Sequence, residues 1–455
     1  MTTTLEPAVP GAGRPAGLRE AASRVLLDNW TGAATVPSRA LYPHQWSWDS
    51  AFIAIGLRHL APRRAQLELE SLLAAQWEDG RIPHIVFNPS VPPGAYFPGP
   101  GFWRSSTAGR RAGAPPHTET SGIVQAPVHA LAAWRVHLAD PAESLRRGFL
   151  PRVYPRLTVW HRYLRTARDL GGGGLAAVVH PWEPGLDNSP VWDAALARVA
   201  PAPAGSFHRT DLDHSPAADR PTDLDYGRYV RLAATYRDHS YDDARTPHAF
   251  AIEDPGFNAL LIASEHALAA MARAIGADPR EHLRRAEAAS AALVDRLWDP
   301  AGGVFLARDL VTGERIPGHS VSGLIPLVVP GLPGHVTAAL LGTARGPRFR
   351  LGRVRLVPSY DLTSEEFDPG RYWRGPSWFN TAWLIHLGLV RHGETEAAHR
   401  LRAQVLSCAY DTDFAEYLEP YTGEGRGIRR FSWTAALALD LLVSYGGTGG
   451  GGPAG

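Results

Sequence analysis

GRYWRGPSWFNTAWLIHLGLV, residues 370–390, changes character halfway along. Its first half sets Tyr372, Trp373 and Trp378 around Gly375 and Pro376, residues that break any regular period. Its second half keeps a period: Trp378, Ala382, Ile385 and Leu389 recur at the spacing of one helix face. An aromatic loop running straight into a helix is therefore the unit to look for elsewhere in the chain.

The helical half of the unit is everywhere. Leu18, Ala21, Ala22, Val25 and Leu26 mark one face in 17–30, and Leu261, Leu268, Met271, Ala272 and Ile275 mark another. The same period predicts helices over 50–60, 63–77, 122–138, 143–168, 226–237, 280–298, 333–343, 395–409 and 431–445, about a dozen in all. Strand signal is thin, with one hairpin expected in GGVFLARDLVTGERI, 302–316, turning at its TG pair. No heptad persists and no short repeat recurs, which argues against a coiled coil and a solenoid. The expectation is an all-α fold, an (α/α)6 barrel (α/α toroid) of paired helices, with an irregular helical bundle as the alternative. Segments near 88–120, 198–225 and 344–376 lack a period and are rich in Pro, Gly and Arg, so they read as lid-like loop insertions in one domain over 16–445. Residues 1–15 and the Gly-rich 446–455 read as flexible tails.

Composition removes whole classes of function. With 46 basic and 45 acidic residues the net charge is +1, which gives no electrostatic case for nucleic acid or an anionic membrane. Every basic residue is Arg, so Schiff-base, pyridoxal-phosphate and Walker-lysine chemistry are excluded. The single cysteine, Cys408, cannot make an internal disulfide and reads as a packed core thiol. Nineteen histidines include no HxxxH or HExxH pair, and neither GxSxG nor a strand-borne GxGxxG occurs, so no metal and no cofactor are expected. No basic-then-apolar leader and no membrane-length apolar run is visible, and a cytoplasmic location is expected.

The aromatic half of the unit also recurs. YPHQWSWDSAFIAIGL, 42–57, puts Trp46, Trp48 and Asp49 before an apolar helix; Asp49 alone would read as a cap, but two tryptophans suggest a stacking surface. HPWEPGLDNSPVWD, 180–193, crowds Glu183, Asp187 and Asp193 among Trp182 and Trp192. GAYFPGPGFW, 94–103, carries Tyr96, Phe97, Phe102 and Trp103, and follows GRIPHIVFN, 80–88; a packed Ω-loop and a lid fit it equally. DRPTDLDYGRYV, 219–230, offers Arg220 and Tyr226, a donor fork suited to a carboxylate or phosphate, although a surface ion pair is the commoner fate of a lone Arg. In FAEYLEPYTGEGRG, 414–427, Glu416 lies between Phe414 and Tyr417, a more apolar frame than those of Glu419 or Glu424, and is the better positioned base.

In a toroid the helix entrances at one end converge on a funnel. Carboxylates from the middle and end of the chain could then face each other across a sugar, as glycoside hydrolysis requires. A polysaccharide lyase would need a basic groove, against the even charge; a non-catalytic sugar-binding protein would need the aromatics but not both acids.

YPHQWSWDSAF, HPWEPGLDNSPVWD, YWRGPSWFN and FAEYLEPYTGEGRG…FSWTAAL, in that order over 42–437, resemble glycoside hydrolase family 63, in its bacterial branch of glucosylglycerate and mannosylglycerate hydrolases. The resemblance implies an (α/α)6 barrel and inverting hydrolysis without a cofactor. It implies Asp187 as general acid and Glu416 as general base, with Glu419 at a variable position of its motif. The sugar-facing residues it implies are Tyr42, Trp46, Trp48, Asp49, Gln125 (in SGIVQAPVHA), Trp182, Gly185, Tyr372, Trp373 and Trp378, with Tyr96 from the lid-like loop. Arg220 and Tyr226, six apart, keep the spacing of the pair that holds a glycerate carboxylate. Residues 104–118 and 200–218 match nothing in the family pattern. The implied partner is a small anionic glycoside, first 2-O-α-glucosylglycerate, with mannosylglycerate or a neutral α-glucoside as alternatives. The sequence does not decide between a single chain and a homo-oligomer.

Overall fold

All eleven residues of the Ser47–Leu57 helix are buried, and so are Ser432 to Leu441 of the Ser432–Ser444 helix. A helix apolar on every side must be surrounded by others. In the computed structural model, which describes residues 14–213 and 215–445, these two helices lie side by side. A side chain at Gly56 would put its Cβ 2.4 Å from the Ala436 Cα, so glycine is what allows the two backbones to meet.

From this seam the contacts run in a closed ring. The Ser47–Leu57 helix touches His129–Ala139, which touches Pro255–Ala274. That helix meets the 3-10 turns Val321–Gly323 and Ile325–Val328, the second of which packs on Phe379–Arg391, and Phe379–Arg391 returns to Ser432–Ser444. A second layer lies outside it. Pro62–Ala74, Phe149–Thr166, Arg280–Leu297, Thr395–Asp411 and Arg14–Asp28 each pack on a member of the ring, and Gly334–Arg345 lies on the Val304–Phe305 strand. The outer helices bury only a stripe; Arg280–Leu297 buries His282, Ala286, Leu293 and Leu297 and leaves Arg280, Glu281, Arg284 and Glu287 to water.

Five inner helices, six outer ones and Asp223–Asp238, set aside from both, make twelve of eleven residues or more among the described residues. Between Pro255–Ala274 and Phe379–Arg391 the ring is closed by the two 3-10 turns rather than by a helix. Gly388 lets the Phe379–Arg391 helix approach Leu327 there, since a Cβ would stand 2.5 Å from the Leu327 Cβ.

Several expected boundaries shift. The helix expected over 122–138 begins only at His129, because Pro127 cannot sit in a helix interior, and the irregular 122–128 run carries Gln125. The helix expected over 143–168 is two, Pro141–Arg147 and Phe149–Thr166, divided at Gly148 with φ +62°. The expected 302–316 hairpin is split: Val304–Phe305 pairs with Trp298–Asp299, while Arg308 bridges Arg315 around the TG turn and Arg308–Asp309 pairs with Ile252–Glu253. The 88–120 segment holds the short helices Pro100–Trp103 and Ser105–Ala108, and 198–225 holds three 3-10 turns before running into Asp223–Asp238. The first helix already begins at Arg14, inside the expected tail; the rest of both expected tails, 1–13 and 446–455, lies outside the described residues. No helix among the described residues is long and apolar enough to cross a membrane.

Two-residue strands pin the aromatic loops to each other just before the helices start. Gln45–Trp46 pairs with Ile85–Val86, and Ser377–Trp378 pairs with Tyr417–Leu418, which pairs with Gly425–Arg426.

Candidate active site

The helix entrances open on one pocket of about 790 Å³, mouth included. Tyr42, Trp46, Trp48, Asp49, Tyr96, Gln125, Trp182, Gly185, Asp187, Arg220, Tyr226, Tyr372, Trp373, Trp378 and Glu416 all line it. Every residue assigned to the site from the sequence is thus brought to one place.

The aromatic wall is cross-braced. Trp373 and Trp378 stack at 4.0 Å and 2°, and Trp378 stacks on Tyr417 at 4.7 Å. Trp46 meets Tyr42 and Tyr96 edge-on. Gln125 accepts a hydrogen bond from the Trp48 backbone N–H at 3.1 Å. Gly185, at φ +72°, lets the Trp48 ring lie against it; a Cβ there would be 2.3 Å from the indole. Asn188 accepts the Trp373 N–H at 2.8 Å, and Arg374 pairs with Asp193 at 2.8 Å, so two distant motifs are tied together.

The three acids of HPWEPGLDNSPVWD therefore part company. Asp193 is spent on Arg374. Glu183 is fully buried against Arg168 at 2.7 Å and also accepts the N–H groups of Val124 and Val179. Asp187 alone faces the pocket, half-buried. Burial pushes its carboxyl up to about 7, against the opposing pull of Arg220. Asp49 is no cap: the helix N-cap is Trp46, and Asp49 lies buried in the first turn, raised by burial and by the neighbouring Glu416.

Glu416 is buried but surrounded by donors. Tyr42 and Tyr372 donate to its Oε1 at 3.1 and 3.2 Å, and the Ile428 N–H to its Oε2 at 3.2 Å. Burial raises its pKa, while Arg220 and these bonds hold it down. Glu419 instead closes its own turn, accepting from Tyr421 and Thr422, and Glu424 is exposed beside Arg426.

Arg220 and Tyr226 share the pocket but not a bond. The Tyr226 hydroxyl donates to the Phe97 carbonyl at 3.0 Å and its ring lies under Arg209. Arg220 donates to Tyr42 and Ser215 and lies over the Tyr372 ring, 4.6 Å from its centroid. Its buried Nε–H has no partner among the described residues.

Seven lining residues were not assigned from the sequence: Pro37, His84, Phe97, Asp211, Pro221, Phe431 and Trp433. His84, Phe97, Phe431 and Trp433 stand inside motifs already quoted, and their aromatic character was the available signal. Asp211 lies in the unmatched 200–218 stretch and carried none. Tyr96 and Trp103 settle the nature of the 94–103 loop: Trp103 is buried and donates to the Pro98 carbonyl, packing the loop, while Tyr96 faces the pocket. Cys408 is buried, its thiol pushed up to about 11, as a packed core residue should be. Among the described residues no group of three or more His, Cys, Asp or Glu could hold a metal ion.

Aromatic walls suit the faces of a sugar, and acids in unlike surroundings exchange protons at different pH; together they define the class, a glycoside hydrolase. Comparison with known proteins narrows the class. Residues 42–434 match the family model described as the mannosylglycerate hydrolase MGH1-like glycoside hydrolase domain. The chain belongs to this family, within glycoside hydrolase family 63. It is 41% identical over 431 residues to a mannosylglycerate hydrolase of Rubrobacter radiotolerans, covering 93% of this chain and 96% of that one. It is 39% identical over 443 residues to a glucosylglycerate hydrolase of Mycolicibacterium hassiacum, covering 94% and 98%. A crystal structure of the family 63 mannosylglycerate hydrolase from Thermus thermophilus, in complex with Tris and D-glycerate, superposes with a TM-score of 0.84 at 38% identity, covering 93% of this chain and 99% of that chain.

Proposed function

We propose that this chain hydrolyses 2-O-α-glucosylglycerate to glucose and glycerate with inversion, Asp187 acting as general acid and Glu416 as general base. The observation that carries the reading is the contrast between two acids of one pocket. Burial holds the Asp187 proton up to about pH 7, while Glu416, also raised by burial, is pulled back toward its ionised form by two hydroxyls, an N–H and a nearby guanidinium. As the C1–O bond breaks, the Asp187 O–H passes its proton to the glycosidic oxygen. Glu416 takes a proton from the water that attacks C1 from the opposite face, so an α-glycoside yields a β-sugar.

The unused Nε–H of Arg220 suits the glycerate carboxylate, with Tyr226 on the same wall. Tyr42, Trp46, Trp48, Asp49, Tyr96, Gln125, Trp182, Gly185, Tyr372, Trp373 and Trp378 form the sugar subsite. A mannosyl unit in place of glucose is the second reading, favoured by the relatives from Rubrobacter and Thermus. The closed inner ring with its outer layer supports an (α/α)6 barrel, and one hydrophobic cluster from Leu18 to Leu441 supports a single catalytic domain.

The test is product release from glucosylglycerate, mannosylglycerate, trehalose and maltose by the wild type, Asp187→Asn and Glu416→Gln. Cleavage of glucosylglycerate by the wild type, lost in both variants, is expected. Preference for a neutral disaccharide, or turnover surviving both substitutions, would overturn the reading.

A further inference from the structure

Two hydroxyls from distant parts of the chain converge on one carboxylate oxygen, with a guanidinium behind them. Tyr42 precedes the first inner helix, Tyr372 lies in the loop before Phe379–Arg391, and both hydroxyls point at Glu416 Oε1, 3.4 Å from each other. Behind them sits Arg220, from the 198–225 insertion. Its two terminal nitrogens donate to the Tyr42 oxygen at 3.2 and 3.3 Å, and its guanidinium covers the Tyr372 ring at 4.6 Å. Tyr372 adopts φ +38°, a conformation that a non-glycine residue keeps only where its surroundings hold it. The bond to Glu416 and the overlying cation are those surroundings.

We propose that Arg220, besides any bond it makes to substrate, is a positioning residue for the water-activating base: through the Tyr42 hydroxyl and the Tyr372 ring it orients Glu416 and favours its ionised form. This rests on the reading of Glu416 as general base. The physical reason is a polarised chain. The guanidinium donates to the Tyr42 oxygen, which sharpens Tyr42 as a donor to the carboxylate. A tyrosine alone would stabilise the anion less, and a cation in direct contact would occupy the lone pairs that must take the proton from water.

The charges facing Glu416 from the other elements make the cation necessary. Asp49 stands on the Ser47–Leu57 helix and Asp187 on the 180–193 loop, and both carboxyls oppose ionisation of Glu416. Tyr417, the next residue, also feels Glu416. Beside the hydroxyls of Tyr42 and Tyr372 and the Ile428 N–H, Arg220 is the cation that acts most strongly on Glu416 among the described residues. An opposite charge within about 4–6 Å lowers a carboxyl pKa by 1–3 units; transmission through a hydroxyl places the expected effect near the lower end.

The test uses a substrate with no carboxylate and little need of a proton donor. The rate of hydrolysis of α-glucosyl fluoride, or its α-mannosyl counterpart, is followed against pH for wild type, Arg220→Lys, Arg220→Ala and Tyr42→Phe. In Arg220→Ala the acid limb of kcat/KM should move up by about one pH unit, an approximately tenfold loss at the foot of the wild-type limb. Arg220→Lys should restore most of it. Tyr42→Phe should move the limb the same way with the arginine still present, which keeps the test valid should Arg220→Ala fail to fold. If the limb stays in place on the fluoride in Tyr42→Phe, and in Arg220→Ala where that variant folds, and only the KM for an anionic glycoside rises, Arg220 serves the substrate alone and the proposal fails. If Glu416→Gln retains turnover, the general-base reading fails first and takes this proposal with it.

Discussion

Glu183→Gln isolates what the buried partner of Arg168 contributes. The native carboxylate meets Arg168 at 2.8 and 2.7 Å through both terminal nitrogens, and both side chains are fully buried. Its remaining lone pairs accept the Val179 N–H at 2.7 Å and the Val124 N–H at 3.2 Å. A glutamine keeps the shape but turns an NH2 group toward these donors. Breaking a buried pair costs about 3–5 kcal/mol. Arg168 keeps a second counter-charge, Asp243 at 2.8 Å from its Nε, which places the loss near 3 kcal/mol, roughly a hundredfold in the folding equilibrium. Chemical denaturation followed by the fluorescence of the 14 tryptophans measures it. Turnover should fall as well, because Asp187 lies four residues beyond Glu183 and Val124 adjoins Gln125. A variant as stable as the wild type to within about 0.5 kcal/mol, the range of ordinary surface substitutions, would refute the claim that this pair anchors the Asp187 loop.

Turnover of the glycoside should fall as pH rises through about 7, since Asp187 must be protonated to act and burial lifts its carboxyl to that value; a flat profile from pH 6 to 9 would speak against Asp187 as the acid. Glu419→Gln should leave more than about a tenth of wild-type turnover, because that side chain closes a turn and does not face the pocket, whereas Glu416→Gln should remove nearly all of it. Dialysis against a chelator should leave the rate unchanged; a loss restored by one divalent ion would reveal a metal requirement.

The helices were legible because their faces are periodic, and Trp378, Ala382, Ile385 and Leu389 do lie buried on one helix and its entrance. Boundaries failed where a local rule outranked the period, at Pro127 and Gly148. The two-residue strands were invisible because two residues hold no period, yet they set Trp46 and Trp378 at the pocket. At the site, the loops rich in aromatics and turn residues marked much of the pocket wall, whereas Gln125, Gly185 and the paired roles of Asp187 and Glu416 were legible only through the family resemblance. What the sequence could not distinguish was which acid of a cluster faces inward. Glu183 and Asp193 differ from Asp187 only in having arginines, Arg168 and Arg374, that lie fifteen and 181 residues away in the chain. Nor could spacing alone tell that Tyr226 turns its hydroxyl to Phe97 rather than to Arg220.

Inversion requires Asp187 and Glu416 to act from opposite faces of one sugar. Proton NMR of the sugar released in the first minutes of glucosylglycerate hydrolysis reads that geometry, before mutarotation mixes the anomers. The β-anomer should appear first from the α-glycoside; the α-anomer as first product would contradict the pairing of these two acids across the sugar.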